Sequence, residues 1–357
     1  MRIKEAKDCI KELYLNTASV TALISERGIG KTSAYQQCAK ELGIGYIGLY
    51  AAALEGPDFM GLPDKDREKG ITRYLAPQFL PTEAAVREGL YQEKGLLVLE
   101  EINRVPSDTV SVLYPLLLEK KINGHQIASG WSIGITMNPD TMNYLVNSLD
   151  DAMLDRFISI EITADLGDYI DYSLQNHPND DVLSFLEACP ELLLVVKKAA
   201  ESNALSKYPT PRGWTKVQEL LNNCSLETGL MKELIAGIVG PQAAASFYGY
   251  LNHRDLKIPA SDQLLADYSS VRGNIMDLLG HNHFDRLNYL IRKLVLSFDG
   301  SETQLRNLDR FLMDLPEELQ LLFFKTFSLN REKEMELIAG KSDCFDRIID
   351  KMINVMN

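Results

Sequence analysis

The sequence predicts an α/β fold, in which helices cover a parallel β-sheet, followed by an all-helical region. Short apolar segments alternate with helical patterns through about the first 160 residues, as they do in sheets whose strands are joined by crossover helices. From about residue 164 onward strand patterns nearly vanish and helical patterns dominate. The 357 residues exceed the ~250 at which a single core usually stops growing, so more than one domain is expected.

The predicted strands are residues 19–25, 45–50, 95–100, 131–137 and 157–163. The segment 95–100 (GLLVLE) is apolar on both faces, which is typical of a central strand in a parallel sheet. Helical patterns follow the first strand at residues 31–42 and the third at about residues 105–121.

Two insertions interrupt this alternation. Residues 61–81 carry turn signals and a charged tip, and residues 120–130 contain Asn123-Gly124, a dipeptide that favours a two-residue hairpin turn. Amphipathic helical patterns fill the rest of the chain, and the helical half divides near residues 255–260.

The composition favours a cytoplasmic protein. No apolar run approaches the ~18–20 residues that cross a bilayer, and the charged first residues are not typical of a secretory signal. The five cysteines form no Cys-x-x-Cys pair, which favours free thiols in a reducing compartment. A net charge of −13 disfavours nucleic acid as a general partner.

The segment SERGIGKTS lies between the first strand and the first helix, where a phosphate-binding loop belongs. Glycines let successive N–H groups converge on phosphate oxygens, and the helix N-terminus adds a favourable partial charge. In this pattern Lys31 contacts the terminal phosphates and Thr32 holds Mg²⁺. The candidate ATP- or ADP-binding residues are Arg27, Gly28, Ile29, Gly30, Lys31, Thr32 and Ser33.

This loop departs from the usual pattern at one position. Ser25 stands where G-x-x-x-x-G-K-[ST] has a glycine, and serine should resist a positive φ if the loop requires one there. An incidental glycine-rich turn before a helix remains the alternative interpretation.

Polar residues follow two further strands. Glu100 and Glu101 end the strand 95–100, so they are expected at the carboxyl edge of the sheet, where ligands of such sheets bind. Glu100 would hold Mg²⁺ through water and Glu101 would polarise an attacking water. The usual residue at position 100 is aspartate, so Glu100 is a second departure, and it could slow turnover. Asn138 directly follows the strand 131–137. Its side-chain amide could hydrogen-bond the attacking water or the γ-phosphate.

Together these motifs resemble the AAA+ ATPases, and among them the MoxR-type family, over residues 15 to 255. The matching residues are Gly28-Ile29-Gly30-Lys31-Thr32, Glu100-Glu101-Ile102-Asn103-Arg104, Thr136-Met137-Asn138-Pro139, Leu154-Asp155-Arg156-Phe157 and Pro211-Arg212.

The resemblance implies roles for four side chains outside the loop. Asn138 would sense the γ-phosphate, Arg156 would be the arginine finger that enters the neighbouring subunit's site, and Arg212 would be the second sensor. Arg104 would be a further interface arginine. Simpler alternatives remain: a surface charge for Arg212, and for Arg156 an intramolecular salt bridge with an aspartate at position 150, 151 or 155.

The resemblance also implies an architecture and an activity. Residues 1–163 would form the AAA+ core, 164–257 a helical lid and 258–357 a helical C-terminal extension. The chain would be a Mg²⁺-dependent ATPase that forms a ring, expected to be hexameric. It would remodel a protein client, with a von Willebrand factor A-type adaptor as a further partner. Two other functions stay open: a DNA-associated motor or loader, and an ATP-binding scaffold with little turnover.

In such a ring the two insertions would face the central pore. Tyr74 or Phe79 could then touch a client, or they could pack the first hairpin onto its own domain.

Overall fold

A computed structural model describes residues 1–139, 149–176, 178–196, 206–252 and 258–331. These residues divide into two compact units. The first contains Met1–Asp168 and Leu194–Gly213, and the second contains Tyr169–Leu193 and the described residues from Trp214 onward. The predicted final helix, CFDRIIDKMINVM, lies outside the described residues.

The strands in the described part of the chain are β1 (Val20–Ile24), β2 (Gly45–Tyr50), β3 (Pro63–Asp66), β4 (Ile71–Tyr74), β5 (Gly95–Glu100), β6 (Lys121–Ile122), β7 (His125–Gln126), β8 (Trp131–Met137) and β9 (Phe157–Glu161). The helices there are α1 (Ile3–Asn16), α2 (Lys31–Leu42), α3 (Gly56–Met60), α4 (Glu83–Arg87), α5 (Ser107–Glu119), α6 (Asp151–Leu154), α7 (Leu166–Gln175), α8 (Asp180–Ala188), α9 (Pro211–Asn223), α10 (Thr228–Val239), α11 (Pro241–Asn252), α12 (Ser261–Ala266), α13 (Tyr268–Gly280), α14 (Phe284–Ser297), α15 (Glu302–Asp314) and α16 (Glu317–Asn330).

The central sheet of the first unit has the strand order β2-β5-β8-β1-β9, and every neighbouring pair is parallel. All five predicted strands are therefore confirmed, with ends that differ by at most two residues. Every residue of β8 is buried, as is β5 up to Leu99, which explains their continuous apolar sequences. Because the strands are parallel, the segments that follow β1, β5 and β8 emerge at one edge of the sheet.

Both insertions form antiparallel hairpins, as predicted: β3 pairs with β4, and β6 pairs with β7. Asn123 and Gly124 connect β6 to β7 with φ values of 46° and 85°, and a type I′ turn requires a positive φ at both positions. The amide of Asn123 donates to the Met60 carbonyl at 2.7 Å, and the His125 ring lies 2.7 Å from the Tyr74 carbonyl. The first contact joins the turn to the end of α3, and the second joins the two insertions.

The aromatic residues of the first insertion have different environments. Phe79 packs edge-on against the buried Phe59, with ring centroids 5.9 Å apart. Tyr74 is 38% exposed. Phe79 therefore fastens the insertion to its domain, which was one of the two interpretations, whereas Tyr74 remains available for contact.

The described residues of the second unit are helical, as the sequence predicts from residue 164 onward. A hydrophobic core in this unit joins α12 to α16 and contains Leu290, Phe311 and Phe323, all fully buried. Charged side chains also join α8 to α14: Arg292 meets Glu187 at 2.7 Å, and Lys293 meets Asp180 at 3.1 Å.

These two ion pairs differ in burial. The side chain of Glu187 is 7% exposed and that of Arg292 is 18% exposed, whereas that of Asp180 is 55% exposed. Burial raises the pKa of Glu187, and the charge of Arg292 partly offsets this. The ionised Glu187 thus depends on Arg292, because a buried charge without a partner is costly.

We predict that Arg292→Met lowers the free energy of unfolding by about 3–5 kcal/mol, since it leaves the Glu187 carboxylate buried without its guanidinium. Urea denaturation followed by tryptophan fluorescence measures the change. Lys293→Met is the matched control, because it breaks the exposed pair of the same helix; its expected cost is about 0–1 kcal/mol. Equal losses in the two variants would contradict the prediction.

Candidate nucleotide-binding site

The loop between β1 and α2 has the geometry of an anion-binding turn. Gly28 and Gly30 have φ values of 75° and 118°, a region that glycine enters without strain. Gly30 is the N-cap of α2, so the helix begins at Lys31 as predicted. The first-turn N–H groups of α2 have no partner within the helix, and they are therefore directed to the loop.

Ser25 fits this loop without backbone strain. It is not among the residues with a positive φ. Its side chain is buried and donates to the Glu26 carbonyl at 2.9 Å, while its hydroxyl oxygen lies 3.2 Å from the Lys31 ammonium. The loop thus does not need a glycine at this position.

The Lys31 ammonium is surrounded by oxygens. It donates to the carbonyls of Ser25 (2.7 Å) and Glu26 (3.3 Å) and to Oδ1 of Asn138 (3.0 Å). Burial lowers the pKa of Lys31 to about 8; the negative charge of Glu101 opposes this shift and the positive charge of Arg212 adds to it. The site therefore holds a partly desolvated cation that an anionic ligand would stabilise.

Thr32 and Glu100 form the other half of the site. The Thr32 hydroxyl donates to Oε2 of Glu100 at 2.7 Å, so α2 and β5 bring the two predicted Mg²⁺ ligands together. Within the described residues no three His, Cys, Asp or Glu side chains form a cluster that could hold a metal. One hydroxyl and one carboxylate fit Mg²⁺, which is usually bound by one or two carboxylates, substrate phosphates and water.

Asn138 has a fixed orientation and a free donor. It is 3% exposed, and its backbone carbonyl accepts a hydrogen bond from the Asn103 amide at 2.7 Å. Its Oδ1 contacts Lys31, whereas its Nδ2 is buried and has no hydrogen-bond partner. A buried donor of this kind normally has a partner, so the unpaired Nδ2 indicates a missing acceptor at the site.

Glu101 adopts an unusual backbone conformation. Its φ of 55° places it in the left-handed region, which is strained for a residue other than glycine, and its N–H donates to the Thr136 hydroxyl at 3.0 Å. Oε2 of Glu101 accepts from the Tyr50 hydroxyl at 3.0 Å and lies 3.1 Å from the Arg104 guanidinium.

Two residues thus contact Glu101 in ways that the sequence reasoning missed. Arg104 pairs with Glu101 within the chain, and its spacing of three residues was the available signal; its place at a subunit interface stays a prediction. No sequence motif marks Tyr50. It lies opposite Glu100 in the β2–β5 register, a neighbour relationship that the sequence does not give.

Arg212 lies beside the loop. Its backbone N–H donates to the Gly28 carbonyl at 3.0 Å, although its side chain is exposed. Thr210 and Arg212 approach Gly28 so closely that a Cβ at Gly28 would lie 3.0 Å from the Thr210 hydroxyl. The backbone at Arg212 thus lies against the loop and its positive charge acts on Lys31, while its role as the second sensor stays a prediction.

Arg156 follows α6 and precedes β9. Among the described residues it forms no salt bridge with Asp150, Asp151 or Asp155, and its Nε is buried without a partner. Asp150 instead accepts from the Tyr114 hydroxyl and the Met153 N–H, which together lower its pKa, with a smaller contribution from the charge of Arg156. Within these residues Arg156 thus forms no salt bridge with the three aspartates, although its charge acts on Asp150.

No protein-family model and no curated protein matches the sequence. Solved structures with a similar fold include an ATPase candidate from Cytophaga hutchinsonii, 18% identical over 65% of this chain and 81% of that chain, with a TM-score of 0.35. Two others are the Thermotoga maritima RuvB Holliday junction branch migration motor (16% identity, 70% and 68% coverage, TM-score 0.35) and C. elegans PCH-2 (13%, 71% and 69%, 0.32).

These similarities are weak, so the fold assignment rests on the chain's own strand order and loop. A parallel sheet with a phosphate-binding loop between β1 and α2, followed by helices, defines an α/β P-loop core with a helical C-terminal region. The predicted fold class, an α/β parallel-sheet P-loop core followed by helices, is confirmed. In the described residues no helix is long and apolar enough to cross a membrane.

We predict that ADP binding is accompanied by proton uptake, because phosphate stabilises the charged form of Lys31. With a pKa of about 8 in the free site, about half a proton should be taken up at pH 8 and almost none at pH 6. Affinity should consequently fall as the pH rises above 8. Titration calorimetry in two buffers of different ionisation enthalpy measures the uptake. Lys31→Arg should abolish it, since arginine stays protonated, and an unchanged uptake in that variant would assign the proton to another group.

We also predict that Thr136→Val lowers the free energy of unfolding by about 1–3 kcal/mol, because the N–H of Glu101 loses its acceptor. Valine keeps the shape of this buried side chain, so lost packing contributes little. Thr136→Ser keeps the hydroxyl and should retain most of the stability. Thermal denaturation compares the two variants. If the serine variant were no more stable than the valine variant, the hydrogen bond would not be the main contribution of Thr136, and its packing would be.

Proposed function

We propose that this chain is a Mg²⁺-dependent ATPase that acts as a ring and remodels a protein client. The observation that carries the proposal is the convergence of Lys31 and Asn138 on one side of the loop with Thr32 and Glu100 on the other. Three neighbouring strands supply these groups at one sheet edge, as γ-phosphate binding and hydrolysis require.

The chain's own residues account for the chemistry. Lys31 neutralises the terminal phosphates, and Asn138 donates through its free Nδ2 to the γ-phosphate or to the attacking water. Thr32 and Glu100 would hold Mg²⁺, which neutralises charge between the β- and γ-phosphates. Glu101 accepts the proton of the attacking water as the new P–O bond forms and the bond to the β-phosphate oxygen breaks. Its Oε1 serves as the base, because Oε2 already contacts Tyr50 and Arg104.

A shared site explains Arg156. A guanidinium placed in trans neutralises the charge of the transferring phosphoryl group, and it must be free of a strong partner within its own chain. Arg156 meets that condition among the described residues. Arg212 lies beside the loop and acts in its own subunit as the second sensor.

A protein client is favoured over DNA by the charge of the first hairpin. Lys65, Arg67, Lys69 and Arg73 stand among Asp64, Asp66 and Glu68, so residues 63–74 carry four positive and three negative side chains. Arg73 is also paired with Asp64 at 3.3 Å. The hairpin therefore has a net charge of only +1, which provides little attraction for a phosphate backbone. Loss of salt-sensitive DNA binding on neutralising the four basic residues would reverse this preference.

The test for a shared site mixes two inactive proteins. Glu101→Gln and Arg156→Ala should each abolish hydrolysis alone. In a ring, an intact Glu101 from one subunit meets an intact Arg156 from the next, so an equal mixture should recover about one quarter of the wild-type rate. Wild-type specific activity should also rise with protein concentration. Phosphate release measures both effects, with Arg87→Ala as an exposed-arginine control that keeps full activity.

Each alternative has its own result. A mixture without recovered activity, beside an active wild type, would place Arg156 in its own chain. A wild type that binds ATP but turns it over no faster than Glu101→Gln would identify the chain as a nucleotide-dependent scaffold.

A further inference from the structure

Glu100 is one methylene longer than the aspartate usual at its position, and the neighbouring strand accommodates the extra length. In the β2–β5 register Tyr50 is opposite Glu100, and Gly48 is opposite Val98 on the same face of the sheet. A Cβ at Gly48 would lie 3.1 Å from Oε1 of Glu100. Because glycine has no side chain, Gly48 leaves the space in which Oε1 of Glu100 lies.

A tyrosine hydroxyl borders the same space. The Tyr46 oxygen would lie 2.8 Å from a Cβ at Gly48. The Tyr46 hydroxyl and Oε1 of Glu100 therefore both border the space that the side chain of a larger residue at position 48 would fill. This hydroxyl is buried and has no hydrogen bond of good geometry, although an interaction with the Gln36 side chain lowers its pKa. Burial, and then the charge of Glu100, raise the pKa of Tyr46 to about 12. At neutral pH it is a protonated donor beside a carboxylate.

The unpaired hydroxyl needs an explanation. A buried donor without a partner costs free energy, and phenylalanine would fill the same volume without that cost. On the other side of the carboxylate, Oε2 already accepts from Thr32. A hydrogen-bond donor on each oxygen would fix the orientation of the Glu100 carboxylate. Glutamate has one more rotatable bond than aspartate, so its carboxylate needs this fixing more.

We propose that Tyr46 is a positioning residue for Glu100: its hydroxyl donates to Oε1 in the nucleotide-bound protein and holds this longer carboxylate where it supports Mg²⁺. Gly48 provides the required space. The inference rests on the proposed function, because it assigns Glu100 to the metal bound with nucleotide.

The experiment measures ADP affinity by calorimetry with Mg²⁺ and with EDTA, and takes the ratio of the two dissociation constants as the readout. Tyr46→Phe should reduce the Mg²⁺ enhancement about tenfold and leave the affinity in EDTA unchanged. In a Glu100→Asp background the same change should have no effect, since the shorter side chain does not reach the hydroxyl. A structural role for Tyr46 would alter both conditions and both backgrounds equally.

Two further variants complete the design. Tyr14→Phe is the matched control: Tyr14 is also a half-buried tyrosine, but its hydroxyl donates to the Gly130 carbonyl away from the site, so the ratio should not change. Gly48→Ala crowds both the Tyr46 oxygen and Oε1 of Glu100, so it should lower the Mg²⁺ enhancement even if Tyr46→Phe proves unstable.

The outcomes separate the two proposals. A wild type that binds no ADP in either condition would overturn the proposed function. A wild type with Mg²⁺-enhanced binding would retain it, and the positioning role would then be overturned if Tyr46→Phe left the ratio unchanged or lowered it equally in the Glu100→Asp background. If Tyr46→Phe is unstable, an unchanged ratio in Gly48→Ala would overturn it.

Discussion

The candidate site depends on the position of β8 between β5 and β1. Three strands far apart in sequence end side by side at the sheet edge, so that Lys31, Glu100 and Asn138 meet without any long-range loop to bring them together. The hydrogen bonds that cross from one segment to another, Lys31 to Asn138 and Thr32 to Glu100, exist only because of this strand order.

Much of this arrangement was predictable, because the relevant signals are local. The strand 95–100 is recognisable from its own composition, and the loop from its glycines and lysine. Asn123-Gly124 specifies its turn through two residues with positive φ. Contacts between segments were not predictable. The Tyr50 hydroxyl donates to the Glu101 carboxylate, and the Arg104 guanidinium pairs with the same carboxylate. Such pairings follow from strand register and backbone conformation, which no single segment of sequence encodes.

At the two positions that depart from the expected motifs, neighbouring residues accommodate the unusual side chain. Ser25 avoids strain because the loop places its positive φ values at Gly28 and Gly30 instead. Glu100 reaches Thr32 because Gly48 on the adjacent strand leaves room for its carboxylate. In both cases the exception alone suggested a weakened site, whereas the surrounding geometry keeps the predicted contacts.

The electrostatics of the loop indicate why such a site favours an anionic ligand over remaining empty. Lys31 is buried enough to lose part of its affinity for a proton, and Arg212 adds positive charge beside it. Asn138 keeps a buried donor without an acceptor. Lys31 and Asn138 each cost the free protein stability, because desolvated charges and unpaired donors are unfavourable. A phosphate would relieve both costs by neutralising the ammonium and accepting from the amide, and it would also attract the exposed charge of Arg212. The folded chain therefore carries, in these few residues, an energetic cost that a bound anion would relieve.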